Sequence, residues 1–181
     1  MKYVLVLLSL YSFVFGFTKS DVYKAYKQKD FKRACYISTK IYLNYRDDDD
    51  FLTLFANSCL QDDNINRMAF PAMLLLRSPE ARSNSIYFLT ILYQKKLLYK
   101  AMIDGFDVSQ FKFPTTNYIL SKIFVKYSQK KYKKIANTLI FDDDNDKHIK
   151  YKLNVIKDKG VYKMILGTYK DGVLIKKRAY W

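Results

Sequence analysis

The chain has 181 residues, half of them hydrophobic by count, with 17 Tyr and 13 Phe to fill a core. That excludes a disordered polypeptide and sets the length of one domain, or of one with an appendage. The 32 Lys and Arg against 17 Asp and Glu leave a formal charge of +15, which suits nucleic acid in a cytosolic chain because neutralising phosphate is what such charge does best.

The amino terminus argues against that partner. Met1 and Lys2 form a short positive region, and Tyr3 to Phe15 carry no charge before small Gly16. This is the order read by a signal peptidase, with cleavage expected after Gly16. A retained membrane helix needs roughly 20 apolar residues, and this run ends sooner, at Thr18-Lys19-Ser20-Asp21. Residues 1–16 are therefore read as a signal peptide and the mature chain as exported, periplasmic in a Gram-negative cell. Anionic partners there are membrane surfaces, lipopolysaccharide and peptidoglycan rather than nucleic acid.

From Ser20 to Ile140 apolar residues recur at three- and four-residue steps, a helical period, with few Gly or Pro to interrupt it. Within this stretch a pattern repeats. Tyr26-Lys-Gln-Lys-Asp-Phe31-Lys-Arg-Ala34 aligns with Leu60-Gln-Asp-Asp-Asn-Ile65-Asn-Arg-Met68, with Tyr93-Gln-Lys-Lys-Leu-Leu98-Tyr-Lys-Ala101 and with Tyr127-Ser-Gln-Lys-Lys-Tyr132-Lys-Lys-Ile135. The anchors Tyr26, Leu60, Tyr93 and Tyr127 stand about 34 residues apart. Each copy reads as the end of one helix, a polar turn and the start of an antiparallel second helix.

The pattern resembles the tetratricopeptide repeat family. Phe31, Ile65, Leu98 and Tyr132 stand at its turn aromatic, and Ala34 and Ala101 at its small packing position. Met68 and Ile135 depart from that position, and the family's early Trp and its helix-A Gly are missing. Pro79 and Pro114 fall near the family's closing proline, whereas Pro71 falls inside a second helix and should shift or kink it. The resemblance implies an α-α superhelix of about four helix pairs over residues 17–141. An irregular helical bundle with a tyrosine core is the alternative.

Beyond the acidic linker, residues 142–147, the period changes. In residues 148–181, Ile149 to Ile156, Val161 to Tyr169 and Val173 to Tyr180 read as strands divided by Asp158-Lys159-Gly160 and Asp171-Gly172. The expected fold is thus mainly α with a three-stranded antiparallel meander packed on the last repeat. Two-residue loops at both turns would put Tyr151, Leu153, Val155, Met164, Leu166, Ile175 and Ala179 on an inner apolar face. Lys150, Lys152, Lys163, Lys176 and Arg178 would then form an outer basic face, with Lys177 the exception on the apolar side.

Catalysis is poorly supplied, since the chain has one histidine, His148, and one glutamate, Glu80. Asp142 to Asp146 alternates carboxylates as calcium loops do, but Lys147 and Leu153 stand where the turn Gly and the closing Glu belong. No cofactor and no metal are expected. Asp47 to Asp50 reads as a helix connection that caps the next helix. Cys35 and Cys59 lie equally far from Asp47 in the connecting loop of the first two copies, where antiparallel neighbours face each other. Export favours a disulfide between them, with two free thiols as the alternative.

The reading that follows is a non-enzymatic binding or scaffolding protein of the periplasm, a component of an envelope machine such as a secretion system or a flagellar motor. Its partner is another protein or peptide, held in an aromatic groove with Tyr87, Tyr93 and Tyr118 as contacts. The alternative is a binder of peptidoglycan or anionic membrane through the basic sheet face. Mass analysis of the mature protein is expected to find its amino terminus at Phe17 or within a few residues of it. A mature chain beginning at Met1 overturns the export reading.

Overall fold

The computed structural model describes residues 16–181; residues 1–15, which hold most of the expected signal segment, lie outside the described residues. The helical part begins with a capping box. The Thr18 side chain accepts from the Asp21 amide, and the Asp21 carboxylate accepts in return from the Thr18 amide at 2.8 Å, opening α1 (Lys19–Lys27). There follow α2 (Phe31–Ile41), a 3-10 turn over Tyr42–Tyr45, α3 (Asp49–Gln61), α4 (Ile65–Leu74), α5 (Pro79–Asp104) and α6 (Ile119–Ser128). Five strands follow in one antiparallel sheet ordered as in the chain: β1 (Lys133–Ile135), β2 (Thr138–Asp142), β3 (Ile149–Asp158), β4 (Val161–Lys170) and β5 (Val173–Tyr180).

This corrects the expected fold. Instead of four helix pairs and a three-stranded meander there are two helix hairpins, α1–α2 and α3–α4, one long helix, one short helix and a five-stranded sheet. The repeated motif nevertheless marks a real event in three of its four copies. The helix ends with one residue in left-handed conformation, Lys29 at φ 59°, Asp63 at φ 58° and Lys130 at φ 57°. The next amide reaches back to the same carbonyl position each time, Asp30 to Ala25, Asn64 to Cys59 and Lys131 to Lys126. That is the closing bond of a Schellman turn.

What comes after the turn depends on the residue that must cap a second helix. Asp30 accepts from the Arg33 amide at 3.1 Å and starts α2, and Asn64 stands at the N-cap of α4. The third copy has Leu97 at that place, with no capping group, and the helix runs on through the motif to Gly105, whose φ of 68° ends it. The fourth copy has Lys131, and the chain leaves α6 for the hairpin of β1 and β2. Residues 133–140, read as helical from the sequence, therefore belong to the β1–β2 hairpin. Pro71 lies buried inside α4, which ends three residues later at Leu74.

The inner face of the sheet closes the core. Leu139, Phe141, Tyr151, Leu153, Met164, Leu166 and Tyr180 are all buried, α5 lies against β4, and the Tyr99 hydroxyl donates to the Tyr162 carbonyl at 2.8 Å. Both turns are two-residue loops, with Asp158 opposite Val161 and Lys170 opposite Val173. The register then slips. Leu174 pairs with Tyr169 but Lys176 pairs with Thr168, so Ile175 is an extra residue in β5. Because side chains alternate, one extra residue exchanges the faces of everything beyond it.

The consequence is a second correction. Lys176 and Arg178, expected on the outer basic face, pair with Thr168 and Leu166 on the inner side, while Lys177 and Ala179 turn outward opposite Gly167 and Ile165. Ile175 itself is exposed. Lys150, Lys152 and Lys163 keep the outer face, since Lys150 pairs with Tyr169, Lys152 with Gly167 and Lys163 with Ile156.

Cys35 on α2 and Cys59 on α3 are joined by a disulfide, with Cα atoms 4.8 Å apart and a separation of 24 positions in sequence. Closing a loop of that length constrains the unfolded chain by about 3 to 4 kcal/mol in the entropic account. Replacing both cysteines by alanine is expected to lower the unfolding free energy in urea by about that amount, and a reductant should bring the unaltered protein close to the same value.

Candidate partner-binding cleft

The turn between α3 and α4 places a carboxylate where the bulged strand arrives. Asp63 occupies the left-handed position of that turn, which an aspartate tolerates better than most residues. Its Oδ1 accepts from Arg178 Nε at 3.0 Å and from the Tyr118 hydroxyl at 2.7 Å, and its Oδ2 lies 3.0 Å from Lys176 Nζ. Arg178 also donates to Thr168 Oγ1 at 3.0 Å, and the Tyr118 and Tyr180 hydroxyls are 2.9 Å apart. The Asp63 side chain is 17% exposed and that of Arg178 13%, so the pair is desolvated and its geometry matters. Burial, and then the neighbouring Tyr180 and Asp63, push the Tyr118 phenol far above its usual range. It stays protonated and donates.

Two clefts flank this carboxylate. One, of about 280 Å³, is lined by Tyr87, Asn117, Tyr118 and Ile119 on one side and by Lys176 and Arg178 on the other. The second, of about 350 Å³, lies between the α3–α4 turn and Lys177 to Trp181. Lys95 of α5 closes its floor. This lysine is 1% exposed, donates to Asn66 Oδ1 at 2.8 Å and to the Trp181 carbonyl oxygen, and shares that oxygen with the Asn66 amide at 2.9 Å. Burial, with a smaller contribution from Lys96, pushes its pKa down to about 8. Such a value would suit a catalytic amine. Here the amine is engaged in holding α4, α5 and the end of β5 together.

The structure thus brings together residues that the sequence reading kept in two separate sites. Tyr87, Tyr118, Lys176 and Arg178 line one cleft. The Tyr87 hydroxyl donates to Asn117 at 2.7 Å, and burial raises its pKa. Tyr93 is elsewhere, 49% exposed and edge-on to Phe113 at 5.3 Å. On the outer face Lys150 pairs with Asp142 at 2.5 Å, Lys163 with Asp158 at 2.6 Å, and Lys152 stands 4.2 Å above the Tyr169 ring. That ring crosses Gly167, where a Cβ would come within 2.7 Å of it.

The acidic run is tied to the protein's own donors. Asp143 accepts from the amides of Asn145 and Asp146 and from the Tyr151 hydroxyl, Asp144 pairs with Lys126, and Asp146 accepts from the His148 amide. His148 Nδ1 lies 2.6 Å from Asp171 Oδ1 at an exposed loop. Among the described residues no group of three His, Cys, Asp or Glu could hold a metal ion, and no helix is long and apolar enough to cross a membrane. The sequence reading missed Asp63 and Lys95. The one available signal was Lys177, whose misplacement on an apolar face marks a strand that needs an extra residue.

No family model, curated protein or solved structure matches the chain.

Removing the carboxylate leaves the largely buried Arg178 guanidinium without its partner. Asp63→Ala is expected to lower stability by about 3 kcal/mol in urea unfolding, more than an exposed ion pair would allow. Deleting Ile175 removes the bulge but leaves Lys176 opposite Thr168 and Arg178 opposite Leu166, so it should cost much less, and Asp63→Ala should loosen β5 in amide hydrogen exchange more than the deletion does.

Proposed function

We propose that the protein is a non-enzymatic binding component of the periplasm, which holds another protein in the clefts between its helical layer and the free edge of its sheet. The observation that carries this reading is one cleft lined by Tyr87 of α5, Tyr118 before α6, and Lys176 and Arg178 of β5, the last three of which meet the Asp63 carboxylate. Clefts in which an amphipathic ring stands beside partly desolvated charges suit protein recognition, since the ring supplies area and the charges supply selectivity. Disulfide-linked hairpins and a 26-residue helix give those clefts a rigid back. An assembly component of an envelope machine has this character.

The envelope-surface reading draws on the outer face, where Lys133, Lys150, Lys152, Lys163 and Lys177 project from adjacent strands. Two of them are already paired with carboxylates, which weakens a contact led by charge alone. A photo-crosslinking residue in place of Tyr87, and separately in place of Lys152, distinguishes the two in living cells. A discrete protein adduct from position 87 and none from position 152 is expected. Adducts with lipid or glycan from position 152 alone overturn the cleft reading in favour of the surface one.

A further inference from the structure

The larger cleft beside Asp63 is lined by five consecutive residues, Lys177 to Trp181. Side chains alternate across a strand, so consecutive residues can share one cleft only if it runs along the strand's edge, where the backbone groups are. β5 is the last strand of the sheet, pairs on one side only with β4, and is exposed from Val173 to Lys177. Among the described residues its outward backbone groups meet no other strand. An extended chain can complete such an edge.

The charge around this edge is unbalanced. A neighbouring cleft of about 570 Å³ adjoins the first through Asp62 and Asn64, and the two are bordered by Lys32, Arg33, Arg67, Lys95, Lys177 and Arg178 against Asp30, Asp62 and Asp63. Among the described residues Lys32, Arg33, Arg67 and Lys177 enter none of the ion pairs formed within the chain. All four side chains are exposed. A second copy of the chain is a poor occupant. Edge-to-edge pairing would set Lys176 and Lys177 of one copy against those of the other in a molecule of charge +15.

Building on the cleft reading above, we propose that an extended acidic segment of a partner protein lies along β5 as a sixth strand, its carboxylates meeting Lys177 and Arg67 and reaching toward Lys32 and Arg33. Backbone hydrogen bonds hold it, and the unpaired cations select its sequence. The bulge at Ile175 limits the regular part of the edge to the stretch from Lys176 onward, which is where the cleft is.

The protein carries its own reporter. Trp181 is the only tryptophan, is half exposed and lines the cleft. The mature chain is titrated with a synthetic peptide of about ten residues alternating Glu and Val, a length suited to one strand, at low ionic strength. A saturable change in Trp181 emission is expected, together with slowed amide exchange in β5. Arg67→Glu combined with Lys177→Glu should weaken binding by about tenfold or more, whereas Lys150→Glu combined with Lys152→Glu on the outer face should change it less than about twofold. Methylating alternate peptide amides should abolish binding if the contact is a strand. Equal losses from both pairs of variants overturn the proposal by showing charge without a site, and indifference to amide methylation overturns the sixth strand. Concentration-dependent dimerisation that the peptide does not reverse assigns the edge to a second copy and overturns it as well. If the peptide fails while crosslinking from position 87 still yields a protein adduct, the acidic-strand inference falls and the cleft reading stands.

Discussion

A largely buried guanidinium on the inner side of a sheet needs a negative charge beside it, because a desolvated charge left unpaired is costly. Arg178, 13% exposed, is such a cation, and the half-exposed Lys176 shares its partner. Asp63 supplies that charge from the turn between α3 and α4, with Lys176 Nζ and Arg178 Nε each 3.0 Å from one of its oxygens. The contact attaches the middle of the last strand to the helical layer. Tyr118 extends it, since its hydroxyl donates to the same carboxylate and touches that of Tyr180, so α6 is tied into the junction through its N-cap residue. The arrangement also leaves gaps on both sides of Asp63, because long charged side chains converging on one point cannot fill the space beside it.

The same requirement explains why the bulge belongs to the fold. Were Ile175 paired with Thr168 in unbroken alternation, Lys176 and Arg178 would turn outward, leaving Asp63 with Tyr118 alone, and Lys177 would press toward the core. With it, Tyr180 enters the core at 2% exposure and Trp181 reaches Asn66 and Lys95. The strand is therefore held at its far end by a buried amine and in its middle by a carboxylate, while Val173 to Ile175 remain free in solvent. Stability in β5 is concentrated where the clefts are.

Much of this could be read from the letters, and the failures have local causes. The helical period of the first half, the turns after Tyr26 and Leu60, the two hairpin loops and the residues of β3 to β5 all carry short-range signals that tertiary packing did not override. The repeat was overextended because its letters encode the end of a helix, and only an additional capping residue turns that end into a hairpin. Asp30 caps α2 through its side chain and Asn64, a residue type favoured there, holds the N-cap position of α4, whereas Leu97 and Lys131 offer no such residue, and at those two places the chain continues as helix or turns into strand. The expected hairpin failed in the third and fourth copies, at that one position in each. The faces of β5 were inverted for a similar reason, because a bulge leaves no letter of its own and shows only as a conflict, here a lysine on an apolar face. Asp63 had no local signal, since its role arises from Tyr118 and from Arg178, 115 positions away in sequence.

Where the positive charge is committed decides what the excess of lysine can do. On the outer face Lys150 and Lys163 are paired and Lys152 rests on Tyr169, so that surface offers an anion partly neutralised charge spread over a broad, nearly featureless sheet. Around the α3–α4 turn the opposite holds, with exposed cations unpaired and a strand edge beside them. Charge of the first kind attracts any polyanion and is screened by salt beyond about 10 Å. Charge of the second kind acts within contact distance of a shaped groove, where a mismatched group is left desolvated and selectivity follows. A lysine-rich composition by itself therefore says little about a partner; the four unmatched cations beside β5 are the part of it that can discriminate.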